Sequence, residues 1–391
     1  MQTERQMLVL DAQWVSDDDH LDKVVEMCAS AGAYSLDTEF HRERTYFPQL
    51  ALVQVRVADQ TFLIDPLSCD VGLFERAFRS DALCLVHAAQ QDLEVLRQES
   101  GYIPSRIYDT QIAAGFLGLS SPSLASLVQM EAGEALPKGD RMSDWLRRPL
   151  TDSQRRYAAL DVAYLALIHE SQIRRLSDLG RVEWVETACE DLRCRDHGPP
   201  DPTTAWQRVK DVRAVKRTDR GVAMAVAEWR ERRAAELDIP VRRVISDVAL
   251  MAIVHAKPVT VDDLSSCRGL DARSLGRGGA EAVLAAVREG RERNVEAPES
   301  DHEPIDRRMR GVMPLLMAWI AEIARMNSID PTLMGTRRDV VEFLSGGESA
   351  RLRHGWRRQM VGEDLDRIVA GTAALAFQPD GSLRLVDSHA H

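Results

Sequence analysis

The sequence predicts an α/β domain built on a mixed sheet, followed by two small all-helical domains. Strand and helix signals alternate over about the first 195 residues, which is the pattern of an α/β domain. Beyond that point only helical periodicity is present, as in the apolar series Val222, Val226 and Trp229. Two proline-bearing polar stretches, residues 196–204 and 293–304, have the composition of linkers and separate the three segments.

These linkers divide the chain into three domains and a tail. The α/β domain, a first helical domain and a second helical domain are predicted at residues 1–195, 203–292 and 306–375. Residues 376–391 end in a short polar stretch, and we expect them to form a flexible tail. A chain of 391 residues is long enough for two or three domains.

Capping signals and apolar spacing place the first elements of the α/β domain. Ser16 precedes three aspartates and is expected to cap a helix, because acidic residues in the first turn interact favourably with the helix dipole. Gly32 ends this helix, and a strand follows directly. The apolar runs 50–57 and 61–64 are separated by three residues and are predicted to form a hairpin.

The later elements of this domain bring further polar residues into the pattern. Residues 84–86 are predicted to form a short buried strand, and a helix that contains Asp92 follows it. Thr151 and Gln154 match a capping box, which predicts a helix beginning beside them. That helix carries Tyr157 and Asp161.

Charge and composition argue against several classes of protein. The net charge of −11 disfavours a protein that coats polyanions, and an aromatic content of 5% disfavours a surface that relies on base stacking. The basic excess is confined to the middle segment: residues 203–292 hold 17 basic and 13 acidic residues, whereas residues 1–200 hold 20 and 32 and residues 293–391 hold 13 and 15. Phosphate binding is therefore expected in the middle segment.

The cysteines and the apolar runs indicate a cytoplasmic protein. Six cysteines are present without a C-x-x-C pair, which is typical of reduced thiols and disfavours structural zinc. The longest apolar stretches, such as residues 248–254, are far shorter than the roughly 20 residues that span a bilayer. The N-terminus lacks the pattern of a signal peptide. We expect no membrane association.

Carboxylates are the strongest candidates for a functional site. Asp37 and Glu39 lie two residues apart on the predicted strand, so their side chains point to the same side of the sheet. Such a pair can cap a loop, or it can bind Mg²⁺, which prefers carboxylate oxygens. Asp92 can serve a helix dipole, and Tyr157 and Asp161 can share a helical face by chance. The residues taken singly leave both interpretations open.

Three motifs in order resemble those of ribonuclease D, a 3′→5′ exonuclease of the DEDD type in the subgroup that carries a tyrosine. They are S-L-D-T-E-F at residues 35–40, H-A-A-Q-Q-D-L-E-V-L at 87–96 and Y-A-A-L-D-V at 157–162. Residues 203–292 resemble the HRDC domain of that family, and residues 306–375 resemble a second, more divergent HRDC-like domain. The resemblance implies a ribonuclease H-like fold for the α/β domain.

The resemblance also implies roles for five residues. Asp37, Glu39, Asp92 and Asp161 would hold two divalent metal ions, Mg²⁺ or Mn²⁺, for a two-metal hydrolysis. Tyr157 would orient the attacking water. A related subgroup has a histidine five residues before the last aspartate, where this chain has Arg156. The implied activity removes nucleotides from RNA 3′ ends, such as those of tRNA precursors and other small structured RNAs, and releases 5′-monophosphates.

Candidate RNA contacts are basic or aromatic residues outside the acidic motifs. The middle segment offers a basic track that can neutralise phosphates, although such a run can also be a solvated face. Phe40 can stack on the terminal base or belong to the core, and Lys138 and Arg148 can contact backbone phosphates. The basic track comprises Arg208, Lys210, Arg213, Lys216, Arg217 and Arg220.

Two other functions remain open from the sequence. One is a 3′→5′ exonuclease that acts on DNA in repair, with single-stranded DNA as a partner, since HRDC domains also accompany helicases. The other is a non-catalytic RNA-binding scaffold, which would have no reason to keep four mutually repelling acids together. The family implies a monomer that binds RNA with a free 3′ end.

Overall fold

The computed structural model of this protein describes residues 11–137, 143–271, 275–295, 309 and 311–388. The chain forms two compact units. The sheet unit consists of Met1–Glu39, Ala51–His197 and Asp301–His391, and the helical unit consists of Phe40–Leu50 and Gly198–Ser300. Among the described residues, no helix is both long and apolar enough to span a membrane.

A mixed sheet, as the sequence predicted, forms the centre of the sheet unit, and the structure shows that it has six strands. Its strand order is β1-β4-β3-β2-β5-β6. β1 pairs with β4, β2 with β5 and β5 with β6 in parallel, whereas β3 and β4 are antiparallel. The strands are β1 Gln13–Val15, β2 Ala33–His41, β3 Gln49–Val57, β4 Gln60–Ile64, β5 Leu83–Val86 and β6 Ile107–Asp109.

The predicted hairpin is the β3–β4 pair. Val57 pairs with Gln60, and the turn between them has Ala58 at φ +52°. Residues 50–55 of β3 are buried without interruption, so side chains on both faces of this strand are covered. The hairpin therefore forms a central part of the sheet next to β2.

Eight α-helices surround the sheet within the residues before 197 that the structure describes. Asp17, not the predicted Ser16, caps α1, because the Asp17 carboxylate accepts the His20 N–H at 2.8 Å. The predicted capping box of Thr151 and Gln154 is present at the start of α6. The helices are α1 Asp18–Ser30, α2 Glu75–Phe78, α3 Gln90–Ser100, α4 Thr110–Gly115, α5 Leu124–Ala132, α6 Asp152–Ala163, α7 Leu165–Asp178 and α8 Val182–Arg193.

The helical unit has a core of its own. Trp206 is buried in it together with Val222, Val226, Leu250 and Ile253. Three short 3-10 helices, Pro202–Arg208, Val212–Ala214 and Arg217–Asp219, precede the longest helix. The α-helices are α9 Arg220–Leu237, α10 Val241–Val244, α11 Asp247–Ala256, α12 Val261–Ser265 and α13 Gly279–Glu292.

Residues 40–50 belong to the helical unit through contacts with α9. The Tyr46 hydroxyl donates to Glu231 at 2.9 Å, and the N–H groups of Tyr46 and Phe47 donate to Asp238 at 3.1 and 3.0 Å. Within the same unit α9 and α13 approach closely, since a β-carbon on Gly221 would lie 2.2 Å from the Gly290 carbonyl oxygen. Glycine is required there for backbone-to-backbone packing.

The C-terminal region packs as part of the sheet unit. Arg181 donates to the carbonyl oxygens of Phe116 and Asn327, both at 2.7 Å, and the rings of Trp184 and Trp356 stack at 4.9 Å. A π-helical turn, Arg358–Gly362, continues α17. The helices of this region are α14 Met313–Met326, α15 Pro331–Met334, α16 Arg337–Leu344, α17 Gly355–Arg357 and α18 Glu363–Val369.

The expectation of a flexible C-terminal tail was wrong. Ala373–Phe377 and Leu383–Asp387 form an antiparallel hairpin, β7 and β8, which accounts for most of the described residues of the predicted tail, 376–388. The turn is stabilised by Asp380, whose carboxylate accepts the Ser382 N–H at 2.9 Å. The domain boundaries predicted at 195, 203, 292, 306 and 375 stay predictions.

Candidate metal centre

Three of the predicted acids lie together at the end of β2. Carboxylate oxygens of Asp37, Glu39 and Asp161 all lie within 4.8 Å of one another, and each side chain is partly buried. Asp37 and Glu39 project from the same side of β2, as alternation along a strand requires. Asp161 comes from α6, so the cluster joins residues that are more than 120 positions apart in sequence.

Burial and the neighbouring acids both act on Asp37. Burial raises the pKa of the Asp37 carboxyl well above its ordinary value, and the negative charges of Asp92, Asp161 and Glu39 raise it further. The N–H of Thr38 partly offsets these effects by donating to the carboxylate. These surroundings therefore disfavour the ionised form of Asp37.

Asp92 reaches the same strand from the first turn of α3. It is buried, and its carboxylate accepts a short hydrogen bond from the Thr38 hydroxyl. Burial raises the pKa of Asp92 to about 6, although the Thr38 hydrogen bond lowers it in part. Thr38 thus positions Asp92 through its hydroxyl and donates its N–H to Asp37. The sequence analysis did not identify this role, although Thr38 lies between Asp37 and Glu39.

Helix α6 carries both Tyr157 and Asp161, one turn apart. The Tyr157 ring packs against a cluster that includes Leu52, Leu63 and Trp145, with its centroid 6.0 Å from that of Trp145. The capping box at Thr151 fixes where the helix starts. Packing and capping together set the rotation of α6, which places Asp161 beside Asp37 and Glu39.

The donor set of this centre fits hard divalent cations. All the groups brought together are carboxylates, which are the ligands that Mg²⁺ and Mn²⁺ prefer. Positive charge at this position would offset the repulsion that raises the pKa of Asp37. Asp37, Glu39 and Asp161 would hold such an ion directly. Asp92 is the fourth acid of the site, and its charge acts on Asp37.

The two histidines near the motifs have other surroundings. His87 Nδ1 lies 2.9 Å from the Thr110 hydroxyl, and burial lowers the pKa of the His87 ring. The His169 ring packs edge-on against Tyr108 with centroids 4.5 Å apart, and burial lowers its pKa too. These contacts are typical of structural histidines.

The candidate RNA contacts have varied surroundings. The Arg148 guanidinium donates to Asp65 at 3.0 Å from Nε and 2.7 Å from one Nη, and to the carbonyl oxygens of Ala51 and Trp145. Its donors are thus occupied within the protein. Phe40 is partly buried beneath the Arg42 guanidinium, which lies 5.2 Å from the ring centroid. Lys138 lies outside the described residues.

Five of the six residues of the predicted basic track lie on exposed positions of the helical unit, and Arg220 is partly buried. Arg208 forms an ion pair with Glu231 at 3.1 Å. Lys210, Arg213, Lys216 and Arg217 are exposed on or beside the short 3-10 helices, so the track is not one helical face. RNA binding by these residues stays a prediction.

Comparison with known proteins gives two matching family models. Residues 12–176 match a 3′-5′ exonuclease model, and residues 219–287 match the HRDC domain model. Curated relatives include ribonuclease D of Jannaschia sp. (strain CCS1), 35% identical over 91% of this chain and 95% of the relative. Ribonuclease D of Sphingobium indicum is 32% identical over 95% of this chain and 97% of the relative.

Solved structures agree with these matches. Escherichia coli RNase D, described as an exoribonuclease involved in structured RNA processing, superimposes with a TM-score of 0.82 at 28% identity, covering 92% of this chain and 98% of that one. A Bifidobacterium adolescentis protein shares the fold, with a TM-score of 0.68 at 22% identity over 92% of this chain and 97% of that one. The acidic cluster, the two domain models and the full-length relatives together show that the chain belongs to the ribonuclease D family of 3′→5′ exonucleases.

Proposed function

We propose that this protein is a metal-dependent exoribonuclease that removes nucleotides one at a time from RNA 3′ ends and releases 5′-monophosphates. The observation that carries this proposal is the mutual approach of Asp37, Glu39 and Asp161 within 4.8 Å, with Asp92 acting on the same cluster. Two divalent cations, Mg²⁺ or Mn²⁺, are the proposed cofactors. Precursors of tRNA and other small structured RNAs are the proposed substrates.

The protein's own groups have separate roles in this reaction. Bound cations would lower the pKa of a water molecule and neutralise charge on the departing 3′ oxygen. Asp37, Glu39 and Asp161 would hold these cations, and Thr38 positions Asp92 by a hydrogen bond to its carboxylate. The Tyr157 hydroxyl, one turn before Asp161, orients the attacking water, because a phenolic hydroxyl can both donate and accept a hydrogen bond.

The proposal also covers RNA binding, the cellular compartment and the oligomeric state. The basic track of the helical unit is proposed to bind the RNA phosphates without reading sequence. All six cysteines are free, and five of them are buried, which suits a reducing cytoplasm. We propose that the protein acts there as a monomer.

A trimming assay tests this function. A 5′-labelled single-stranded RNA is incubated with Mg²⁺ or Mn²⁺, beside EDTA, Asp37→Asn and a matched DNA strand. A descending ladder on RNA that is absent with EDTA and with Asp37→Asn is expected. Equal trimming of the DNA would favour a DNA repair exonuclease, and tight metal-independent binding without any shortening would favour a scaffold.

Variants at Tyr157 and Trp145 separate the proposed role of the tyrosine in positioning water from its role in packing. Tyr157→Phe keeps the ring that packs near Trp145 and removes only the hydroxyl, so we expect kcat to fall by roughly 10–100-fold with KM unchanged. Trp145→Phe is the matched control, because it alters the same packed cluster without touching the Tyr157 hydroxyl. An unchanged kcat in Tyr157→Phe would remove the tyrosine from the mechanism.

A further inference from the structure

The turn before α3 holds an uncommon backbone conformation next to a metal acid. Ala88 has φ +55°, which is in the left-handed region that residues with a β-carbon rarely adopt. The turn joins β5 to α3, and Asp92 is the third residue of that helix. The path of this turn therefore determines where Asp92 begins its approach to the Thr38 hydroxyl.

A single carboxylate holds the turn in place. Asp109, at the end of β6, is 1% exposed and accepts the N–H of Ala88 and the N–H of Ala89, both at 3.0 Å. The same carboxylate also caps α4 by accepting the N–H groups of Gln111 and Ile112 at 2.8 and 3.3 Å. One side chain thus joins the start of α4 to the turn before α3.

The next residue strengthens this junction from the other side. The Thr110 hydroxyl donates to the Val86 carbonyl oxygen at 3.0 Å and lies 2.9 Å from His87 Nδ1. Gln172 of α7 donates to the Thr110 carbonyl oxygen at 2.9 Å. Each residue from 86 to 89 therefore lies within hydrogen-bond distance of Asp109 or Thr110. These contacts hold Ala88 in its left-handed conformation.

We propose that Asp109 is a positioning residue for the metal centre, acting on Asp92 through the turn at residues 87–89. This inference rests on the proposed function, since it assumes that Asp92 takes part in metal binding. The negative charge of Asp109 also acts on Asp92 through space. Its positioning effect passes through the backbone N–H groups of Ala88 and Ala89, which it holds by hydrogen bonds. Residues that orient metal ligands typically change metal affinity by 10–100-fold when they are replaced.

Two variants of Asp109 separate the junction from the helix cap. Asp109→Asn keeps the shape but turns an amide NH₂ towards backbone N–H donors. Asp109→Ser keeps a side chain that caps α4 and is too short to reach the turn. Asp339→Asn is the matched control, because Asp339 is also buried and also accepts a backbone N–H, that of Thr336 at 2.7 Å, in the C-terminal region.

The measurements are Mn²⁺ affinity by titration calorimetry and kcat and KM on a short 5′-labelled RNA. We expect both Asp109 variants to bind Mn²⁺ at least about 10-fold more weakly, with a lower kcat and an unchanged RNA KM, and Asp339→Asn to keep the wild-type Mn²⁺ affinity. Wild-type Mn²⁺ affinity in a folded Asp109 variant would overturn the proposal. So would failure of both variants to fold beside a folded Asp339→Asn, since Asp109 would then serve the fold as a whole. A wild-type protein without metal-dependent trimming would instead contradict the proposed function.

Discussion

Two sets of carboxylates in the sheet unit have opposite surroundings. Asp65 and Asp109 are buried among hydrogen-bond donors, whereas the partly buried Asp37 and the buried Asp92 lie close to other acids. Asp65 accepts two hydrogen bonds from Arg148 and one from the Leu67 N–H at 3.1 Å. For Asp37, the neighbouring acids and burial raise the pKa well above the ordinary value.

The difference shows which acids the fold needs and which the function needs. A buried carboxylate that accepts several N–H bonds is stable as an anion and can hold distant segments together. Ionisation of a carboxylate that lies close to three others is unfavourable until a cation binds. Interactions elsewhere in the fold must offset this destabilisation. Replacing Asp65 should therefore affect stability, and replacing Asp37 or Asp92 should affect activity. Asp109 joins the two sets, because its hydrogen bonds hold the turn that leads to Asp92.

The largest expected effect is on catalysis, from the second set. Asp37→Asn should lower kcat for RNA trimming by roughly 10³-fold or more, because it removes a charge from the centre where metal is held. In EDTA the same variant should unfold at a higher temperature than the wild type, since repulsion with Asp92, Asp161 and Glu39 is relieved. Trimming assays and thermal melts measure the two effects, with Asp65→Asn as control. A variant that loses activity and also melts lower would contradict the distinction between the sets.

Replacing Arg148, which forms an ion pair with Asp65, tests the first set of carboxylates. Arg148→Ala leaves the buried Asp65 charge without its guanidinium, and we expect a loss of about 3–5 kcal/mol in the free energy of unfolding. Urea unfolding measures this loss, and Arg147→Ala, at the exposed neighbouring position, is the control. A variant that keeps its stability but binds RNA more weakly would instead support the phosphate contact that the sequence predicted for Arg148.

The pH dependence of stability should also distinguish the sets. The pKa of Asp92 is about 6 in the folded protein, above the ordinary value, so its protonated form stabilises the fold at low pH. That contribution is present below about pH 4 and is lost as pH rises through about 6, which corresponds to roughly 3 kcal/mol at most. Urea unfolding in EDTA across pH 4–7 should show wild type losing stability relative to Asp92→Asn. A constant difference between the two proteins would contradict the raised pKa.

Metal addition should reverse this loss. A cation that binds only the folded protein stabilises it by about 2.7 kcal/mol at a concentration 100 times its Kd. Thermal melts with Mn²⁺ at pH 7 should therefore shift upward for the wild type and for Arg148→Ala, and remain unshifted for Asp37→Asn. A shift that survives in Asp37→Asn would indicate that the ion is held elsewhere.

Much of the site could be predicted because its functional residues lie in short sequence motifs. Asp37 and Glu39 lie on one side of a strand by alternation, and Tyr157 and Asp161 lie one helical turn apart. The capping box at Thr151 places the start of their helix from four residues alone. These features depend on local geometry, which the backbone imposes regardless of the rest of the fold.

Other features depended on contacts between distant segments. The basic side chain of Arg148 is visible in the sequence, but its partner Asp65 is 83 residues away. The hairpin at 373–387 was missed because its strands are short, although Asp380 and Gly381 between them are a recognised turn signal.

The sequence by itself determined the kind of chemistry: four acids and a tyrosine in an order that belongs to the ribonuclease D family. Only the tertiary structure decided which acids oppose one another and which are satisfied, as with Asp37 and Asp109. The physical reason is that residue type and spacing act along the chain. Burial, repulsion and hydrogen bonding act through space and exist only once distant segments have packed.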